Sequence, residues 1–371
     1  MNIPLLDLKA QYESIKTEID EAVLGVIRSG RFIFGPEGEA LEREIAAFCG
    51  AANAVGLASG TDALLLTLRA LGVGAGDEVI TTPFTFFATA ETIAALGATP
   101  VFADIDPATL NMDLAELERR CTPRTKAIVA VHIFGQMPDM EQLGAIAAAR
   151  GIPVLEDAAQ AIGATWAGKR AGAWGRAGAF SFFPTKNLGA YGDGGMVVTD
   201  DADLAAELRV LRFHGGRVKY YHDKIGYNSR LDEIQAAVLR VKLRRLPEWN
   251  EARRRAAAFY SEAFADLAAA GKLTLPGVNP GGEPVYHLYT LRTPERDRLA
   301  AGLRARGVAS AVYYPLPLHR QKAFAHLGYR DGDLPRAEQA CRETLAIPCY
   351  PELTPALLDY IAAAARASLE N

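Results

Sequence analysis

From residue 54 to residue 199 the chain alternates short apolar runs with helical stretches, and this alternation restricts the fold more than any other feature. The runs are AVGL (54–57), EVIT (78–81), PVFA (100–103), KAIVAVH (126–132), IPVLE (152–156), AFSFF (179–183) and MVVT (196–199). Most carry no alternation of apolar and polar residues, as strands buried on both faces require. Between them lie helical stretches such as Asp113–Cys121, Met140–Arg150 and Leu204–Phe213. Strand and helix in repeated succession predict an α/β fold, with a mostly parallel sheet covered by helices on both faces. Ligands of such sheets sit beyond the carboxyl ends of the strands.

Either side of this region the pattern is more helical. Residues 11–29 and 37–48 read as helices, with Ser29-Gly30 and Gly35-Pro36 as punctuation. A long helix from Glu233 to Leu267 is interrupted at Pro247. A strand over 284–292, a helix over 297–306, a strand over 309–313 and helices near 335–344 and 355–369 follow. A chain of 371 residues suggests two domains. We expect a large domain over 1–246 and a smaller C-terminal α+β domain over 247–371.

The net charge of −4 and the lack of a basic run beyond Arg253–Arg255 speak against nucleic-acid binding. No apolar stretch is long enough for a membrane span, and the first residues do not read as a signal peptide. Four cysteines without CxxC spacing suggest reduced, buried thiols in a cytoplasmic protein. The six histidines lack metal-ligand spacing, so no metal is expected.

Chemistry gathers at the expected strand ends. Ser59-Gly60-Thr61-Asp62 joins a strand to an apolar helix, which creates an anion site or simply a capped helix start. Asp157 follows an apolar run and reads either as a helix cap or as a buried carboxylate holding a cation. Lys186 lies in GAFSFFPTKNLGAYGDGG (178–195), between an apolar run and a glycine-rich loop. Alone it reads as a surface lysine. Buried, it would lose pKa and become a nucleophilic amine. An anion cradle, a carboxylate and an amine are what the phosphate, ring nitrogen and aldehyde of pyridoxal 5′-phosphate each require.

SGTDA (59–63), EDAAQ (156–160), SFFPTKNLG (181–189), GDGG (192–195) and GYNSRLD (226–232) together resemble the sugar aminotransferases of the DegT/DnrJ/EryC1/StrS family. The resemblance runs from IPLLDLKAQY (3–12) to RQKAF (320–324), and it implies a fold type I pyridoxal-phosphate transferase. It implies that Lys186 forms the Schiff base and moves protons, and that Asp157 pairs with the pyridinium nitrogen. Gln160 would bond the ring hydroxyl, with Ala159 against one ring face and Phe86 against the other. Gly60, Thr61 and Ser181 would hold the phosphate. Asn228 would reach the neighbouring subunit's cofactor phosphate, which makes a homodimer obligatory.

The family resemblance further implies a nucleotide-linked keto sugar as acceptor and L-glutamate as donor. Tyr220–Asp223 before GYNSRLD favours a 3-keto over a 4-keto sugar. Arg230 would bind a carboxylate, or serve only as a salt bridge at a helix start. Tyr313, Tyr314 and His319 resemble the family's sugar-side segment, though proline-flanked aromatics also suit domain packing. A sugar dehydratase and a cofactor-binding regulator without turnover are the alternatives. The retained Lys186 argues against the dehydratase, and Lys186, Asp157 and Asn228 together argue against the regulator.

Overall fold

In the computed structural model, which describes residues 2–370, the centre is a seven-stranded sheet. Its strands are β1 (Asn53–Leu57), β2 (Glu78–Thr81), β3 (Thr99–Phe102), β4 (Thr125–Val131), β5 (Val154–Asp157), β8 (Ala177–Ser181) and β9 (Gly195–Thr199). A short hairpin, β6 (Thr165–Trp166) and β7 (Lys169–Arg170), separates β5 from β8. The spatial order is β1-β9-β8-β5-β4-β2-β3. All neighbouring pairs are parallel except those made by β9, which runs antiparallel to both β1 and β8. The alternation of strand and helix hides this reversal. The link from β8 to β9 is a loop with no crossover helix, and an antiparallel return needs none.

Helices cover both faces. On one side lie α3 (Gly60–Ala70), α4 (Ala88–Ala95) and α7 (Ala202–Leu211); on the other lie α2 (Pro36–Cys49), α5 (Leu114–Arg120), α6 (Met140–Ala148) and α8 (Glu233–Leu243). The strands feed the two cores alternately. Ala127 and Val129 of β4 join the α3 side, and Ile128 and Ala130 join the α2 side. That is the period of two expected of a strand buried on both faces. The N-terminal helix α1 (Leu8–Ser29) packs on α8, with Ile15 and Ile19 against Val238 and Val241.

The rest of the chain builds a separate apolar cluster. It combines α9 (Leu246–Ala263), α10 (Ala265–Ala269), β11 (Tyr289–Arg292), α11 (Arg296–Ala305), β12 (Thr344–Ile347) and α13 (Pro355–Glu370). The helix α12 (Pro335–Glu343) instead packs Ala337 and Ala340 against Phe84 and Ile133 at the edge of the large sheet. Ile3 crosses over to pair with Val308 and is buried in the C-terminal cluster. The division at residue 246 remains our proposal; Met1 and Asn371, its outer limits, lie outside the described residues.

Several local expectations need correction. The helical stretch is interrupted as expected, but at Arg244–Arg245; Pro247 itself sits in the first turn of α9, where its missing N–H costs nothing. The strand expected over 284–292 is confined to β11, with Gly282–Glu283 forming a short strand β10 against β6. Pro284 and the positive φ of Tyr286 (43°) break the ladder between them. Residues 309–313 make only a bridge, Ala311 to Ala346, before Pro315. The strand β12 went unread because its TLAI run directly continues a helix.

Candidate active site

The carboxyl ends of β5 and β8 and the start of α3 converge. Ser59 caps α3, its Oγ accepting from the Asp62 N–H at 3.0 Å. Its carbonyl accepts from the Ala63 N–H. The N–H groups of Gly60 and Thr61 have no acceptor among the described residues, so they carry the positive end of the helix dipole outward. Both readings of this turn therefore hold: the serine caps, and two donors stay free. The turn lies directly on the end of β8. A Cβ on Gly60 would come within 2.6 Å of Ser181 Cβ, and a Cβ on Gly195 within 2.2 Å of the Ser59 carbonyl oxygen. Glycine at both positions lets the backbones close into one cradle.

Asp157 ends β5 and is buried. Its Oδ2 accepts from Thr89 Oγ1 at 2.7 Å, and its Oδ1 from the Ala159 N–H at 3.3 Å. Thr85 Oγ1 lies 3.0 Å from Thr89 Oγ1 and extends the chain of hydroxyls. Burial raises the Asp157 pKa, while Thr89, Ala159, Lys186 and His132 all oppose the rise. Such a site keeps its charge most easily when a cation docks against it.

Lys186 projects from the β8–β9 loop. Burial lowers its pKa to about 8, against the opposing pull of Asp157. Its amine makes no hydrogen bond or ion pair among the described residues. Gln160 accepts from the Phe134 N–H at 2.6 Å and donates to Tyr314 Oη at 3.1 Å, which turns its amide nitrogen toward Tyr314. Burial also raises the Tyr314 pKa, so its phenol stays protonated. Ala159 is half-buried behind Asp157, and Phe86 is 60% exposed in the loop between β2 and α4.

The remaining expected residues lie apart. Asn228 is exposed and bridges Phe213; the neighbouring Ser229 is buried and donates to Asp62 Oδ2 at 2.6 Å. Arg230 stands 5.9 Å from the Phe34 ring centroid and forms no ion pair among the described residues. Tyr313 packs edge-on against Tyr314. His319 is buried, with Nε2 3.0 Å from Glu338 Oε1, so this ring faces the protein interior.

Sequence reasoning missed the supports of Asp157. Thr89 is distant in the chain, and no local pattern marks it. Glu156 is fully buried, 2.8 Å from His132 Nε2, and accepts N–H bonds from Gly172, Trp174 and Gly175. An acidic residue beside Asp157 in an apolar strand was the available signal.

The family profile for DegT/DnrJ/EryC1/StrS aminotransferases matches residues 13–366. The chain belongs to that family. A "Pleiotropic regulatory protein" of Geobacillus stearothermophilus is 53% identical, covering 97% of both chains. The Acidithiobacillus ferrooxidans protein named UDP-N-acetyl-3-dehydro-alpha-D-glucosamine 3-aminotransferase is 47% identical, covering 100% of this chain and 98% of its own. Among solved structures, S. venezuelae DesV in complex with a ketimine intermediate superposes with a TM-score of 0.97 at 44% identity, covering 100% of this chain and 99% of its own. The fold is that of a pyridoxal-phosphate-dependent aminotransferase, and pyridoxal phosphate is the cofactor of the family's aminotransferases. The site fits that group. It offers free N–H donors at a helix start for the phosphate, a buried carboxylate for a protonated nitrogen, and an unpaired amine for the aldehyde.

Proposed function

We propose that this aminotransferase moves an amino group from L-glutamate to a nucleotide-linked 3-keto sugar, with Lys186 as the covalent lysine. The single observation that carries the reading is Lys186 itself: a half-buried amine whose pKa is lowered to about 8, without a partner among the described residues, beside a buried carboxylate and an open anion cradle. The 3-keto preference is supported by the A. ferrooxidans relative, which is named for a 3-dehydro sugar nucleotide.

Pyridoxal phosphate, when bound, supplies an aldehyde to take up the amine and a ring to accept the electrons freed when a C–H bond breaks. This chain's residues do the rest. Gly60, Thr61 and Ser181 would hold the phosphate. Asp157, fixed by Thr89 and Ala159, would hold a proton on the ring nitrogen. Gln160 would hold the ring hydroxyl, and Ala159 and Phe86 would pack against the ring. Lys186 would hold the aldehyde covalently and, as a free amine, would carry a proton on Nζ. Near neutral pH a lysine of pKa about 8 has a usable fraction of free amine, which an ordinary lysine lacks.

A second copy completes the site in this reading. Phe32, Ile33, Phe34, Tyr220, Tyr221 and Ile225 are exposed, and Arg212 and Arg230 stand over the Phe34 ring. So much exposed apolar surface, beside the exposed Asn228, suits a homodimer in which Asn228 reaches across. Arg230, free of an ion pair, is available for a carboxylate of the donor or of the sugar. The four unpaired thiols suit a reducing cytoplasm.

The test is the half-reaction with glutamate, followed by absorbance, and then a screen of 3-keto and 4-keto nucleotide sugars against the aminated protein. Lys186→Ala should bind cofactor but fail to turn over. A Lys186→Ala protein that completes the half-reaction at the wild-type rate refutes the assignment. A wild-type protein that binds cofactor yet aminates no keto sugar would instead favour a regulator, the role that the G. stearothermophilus relative's name describes.

A further inference from the structure

Lys242 lies in the last turn of α8, and its side chain is fully buried. A lysine is seldom fully buried unless something holds its charge. Among the described residues no carboxylate pairs with it; Glu352 acts on it only as a nearby charge. Glu352 lies near it in the turn before α13, but both Glu352 carboxylate oxygens are without a hydrogen bond among the described residues. The direct partners of the ammonium are instead the carbonyl of Gly189, at 2.7 Å, and the face of the Tyr191 ring, 4.1 Å from its centroid. Both belong to the loop that carries Lys186.

That loop is a closed turn. The Lys186 N–H donates to the Phe183 carbonyl and the Ala190 N–H to the Phe182 carbonyl, each at 2.8 Å. A Cβ on Gly189 would come within 2.3 Å of the Pro184 carbonyl oxygen, so the turn closes only with glycine there. The Gly189 carbonyl is buried and receives no backbone N–H among the described residues. On the other side of Lys186, Asn187 is pinned: its amide donates to Asn250 Oδ1 at 2.9 Å and to the Val285 carbonyl at 3.1 Å. Its Oδ1 lies 3.1 Å from His287 Nδ1. Asn187 is thus tied to α9 and the C-terminal part, while α8 holds the other limb of the loop: Lys242 donates to the Gly189 carbonyl, and Gln235 Oε1 accepts from the Tyr191 N–H at 2.8 Å. An apolar residue at 242 would satisfy the packing of α8 but would leave the carbonyl bare.

We propose that Lys242 is a positioning residue for Lys186: by donating to the Gly189 carbonyl against the Tyr191 ring, it locks the turn from which Lys186 projects. This rests on the reading of Lys186 as the covalent lysine. Without the lock, the amine loses its fixed approach while the residues that bind substrate are untouched. The turnover number falls and KM holds.

The test compares full-length wild type, K242M and K242R, with and without added cofactor. In K242M, backbone hydrogen exchange over residues 183–191 should quicken at least about tenfold. The turnover number should drop about tenfold or more, with KM for both substrates within about twofold. K242R, which keeps a cationic donor, should restore exchange and most of the turnover. Wild-type exchange over 183–191 in K242M overturns the proposal. So does a turnover loss that K242R fails to restore while exchange is restored. If K242M does not fold, K242R and K242Q carry the test, since both retain a donor. Either of them folding with wild-type CD yet exchanging freely over 183–191 also overturns it. Exchange in the cofactor-free protein does not depend on the substrate. A failure of the Lys186 reading shows separately, as borohydride reduction of the holoenzyme that leaves Lys186 unlabelled.

Discussion

Asp157 works against its surroundings. Burial favours its neutral form, and a hydroxyl, an amide and nearby positive charge pull it back toward the anion. Thr89 is the strongest of these opposing influences, so Thr89→Val should raise the Asp157 pKa further. We expect the acidic limb of the rate profile to move to higher pH and kcat/KM to fall about 10- to 100-fold, as a hydrogen bond to a charged group warrants. An unshifted limb would show that Thr89 does not control the carboxyl. Lys186 makes a second test. The unfolded chain keeps that proton up to about 10.5, whereas the folded chain without cofactor sheds it near 8. Unfolding therefore takes up a proton at this group between these values, and the contribution of Lys186 to stability should rise with pH across the window, against the opposite contribution of the buried thiols Cys49, Cys341 and Cys349, whose pKa values burial raises. Below pH 8 the cost of the buried charge is fully present. Lys186→Met should then stabilise the cofactor-free protein at pH 7 by roughly 1–3 kcal/mol and flatten the rise, as read by denaturant titration. Lys242 shares the direction of shift, so part of the rise should remain. Lys186 and Asp157 stood out in the sequence because each follows an apolar run, and Gln160 came only from the family resemblance. Thr89 and Lys242 did not stand out. Their partners are brought to them by the sheet order and by the packing of α8, which no local pattern encodes.

Among the elements, buried strands were the easiest to read and the direction of β9 the hardest. Composition marks burial, but direction depends on what connects two strands. The short pieces β6, β7 and β10 carry too few residues for any periodicity to register. The start of α3 was readable as a strand–turn–helix, but its contact with Ser181 required the antiparallel β8–β9 pair to bring the turn onto β8. Gly60→Ala tests that fit. Its methyl has no room against Ser181 unless the cradle opens, so we expect cofactor affinity to weaken at least about tenfold in a binding titration. Overpacking should cost about 1–3 kcal/mol of stability. Cofactor binding equal to wild type would mean that the helix start can retreat without loss.

At the scale of the molecule, two apolar cores are stitched together by α9. Its first residue, Leu246, packs under the large sheet, and Tyr260 is fully buried in the C-terminal cluster. Between them Asn250 bonds Asn187, and Arg253 donates to the Cys349 carbonyl. The exposed band from Phe32 to Phe34 and from Tyr220 to Ile225 is the molecule's other unfinished surface. Sedimentation should find a dimer. Phe34→Asp should shift it toward monomer and lower activity in step, because Asn228 would then lack a neighbouring site. A fully active monomer would place the whole site within one chain. The homodimer is an expectation of the family resemblance; the sequence by itself shows aromatics at Phe32 and Phe34 but not that they are uncovered.

The reversal of β9 has a consequence for how such a chain can change over time. Its loop must bridge two adjacent strands, close around Pro184 and Gly189, and reach both α8 and α9, so it has almost no freedom to lengthen. Variation in what the enzyme accepts must then be written elsewhere, in exposed segments such as 217–219 at the edge of the proposed dimer face. A library randomised there should yield new acceptors, while one randomised over 183–190 should yield mainly dead protein.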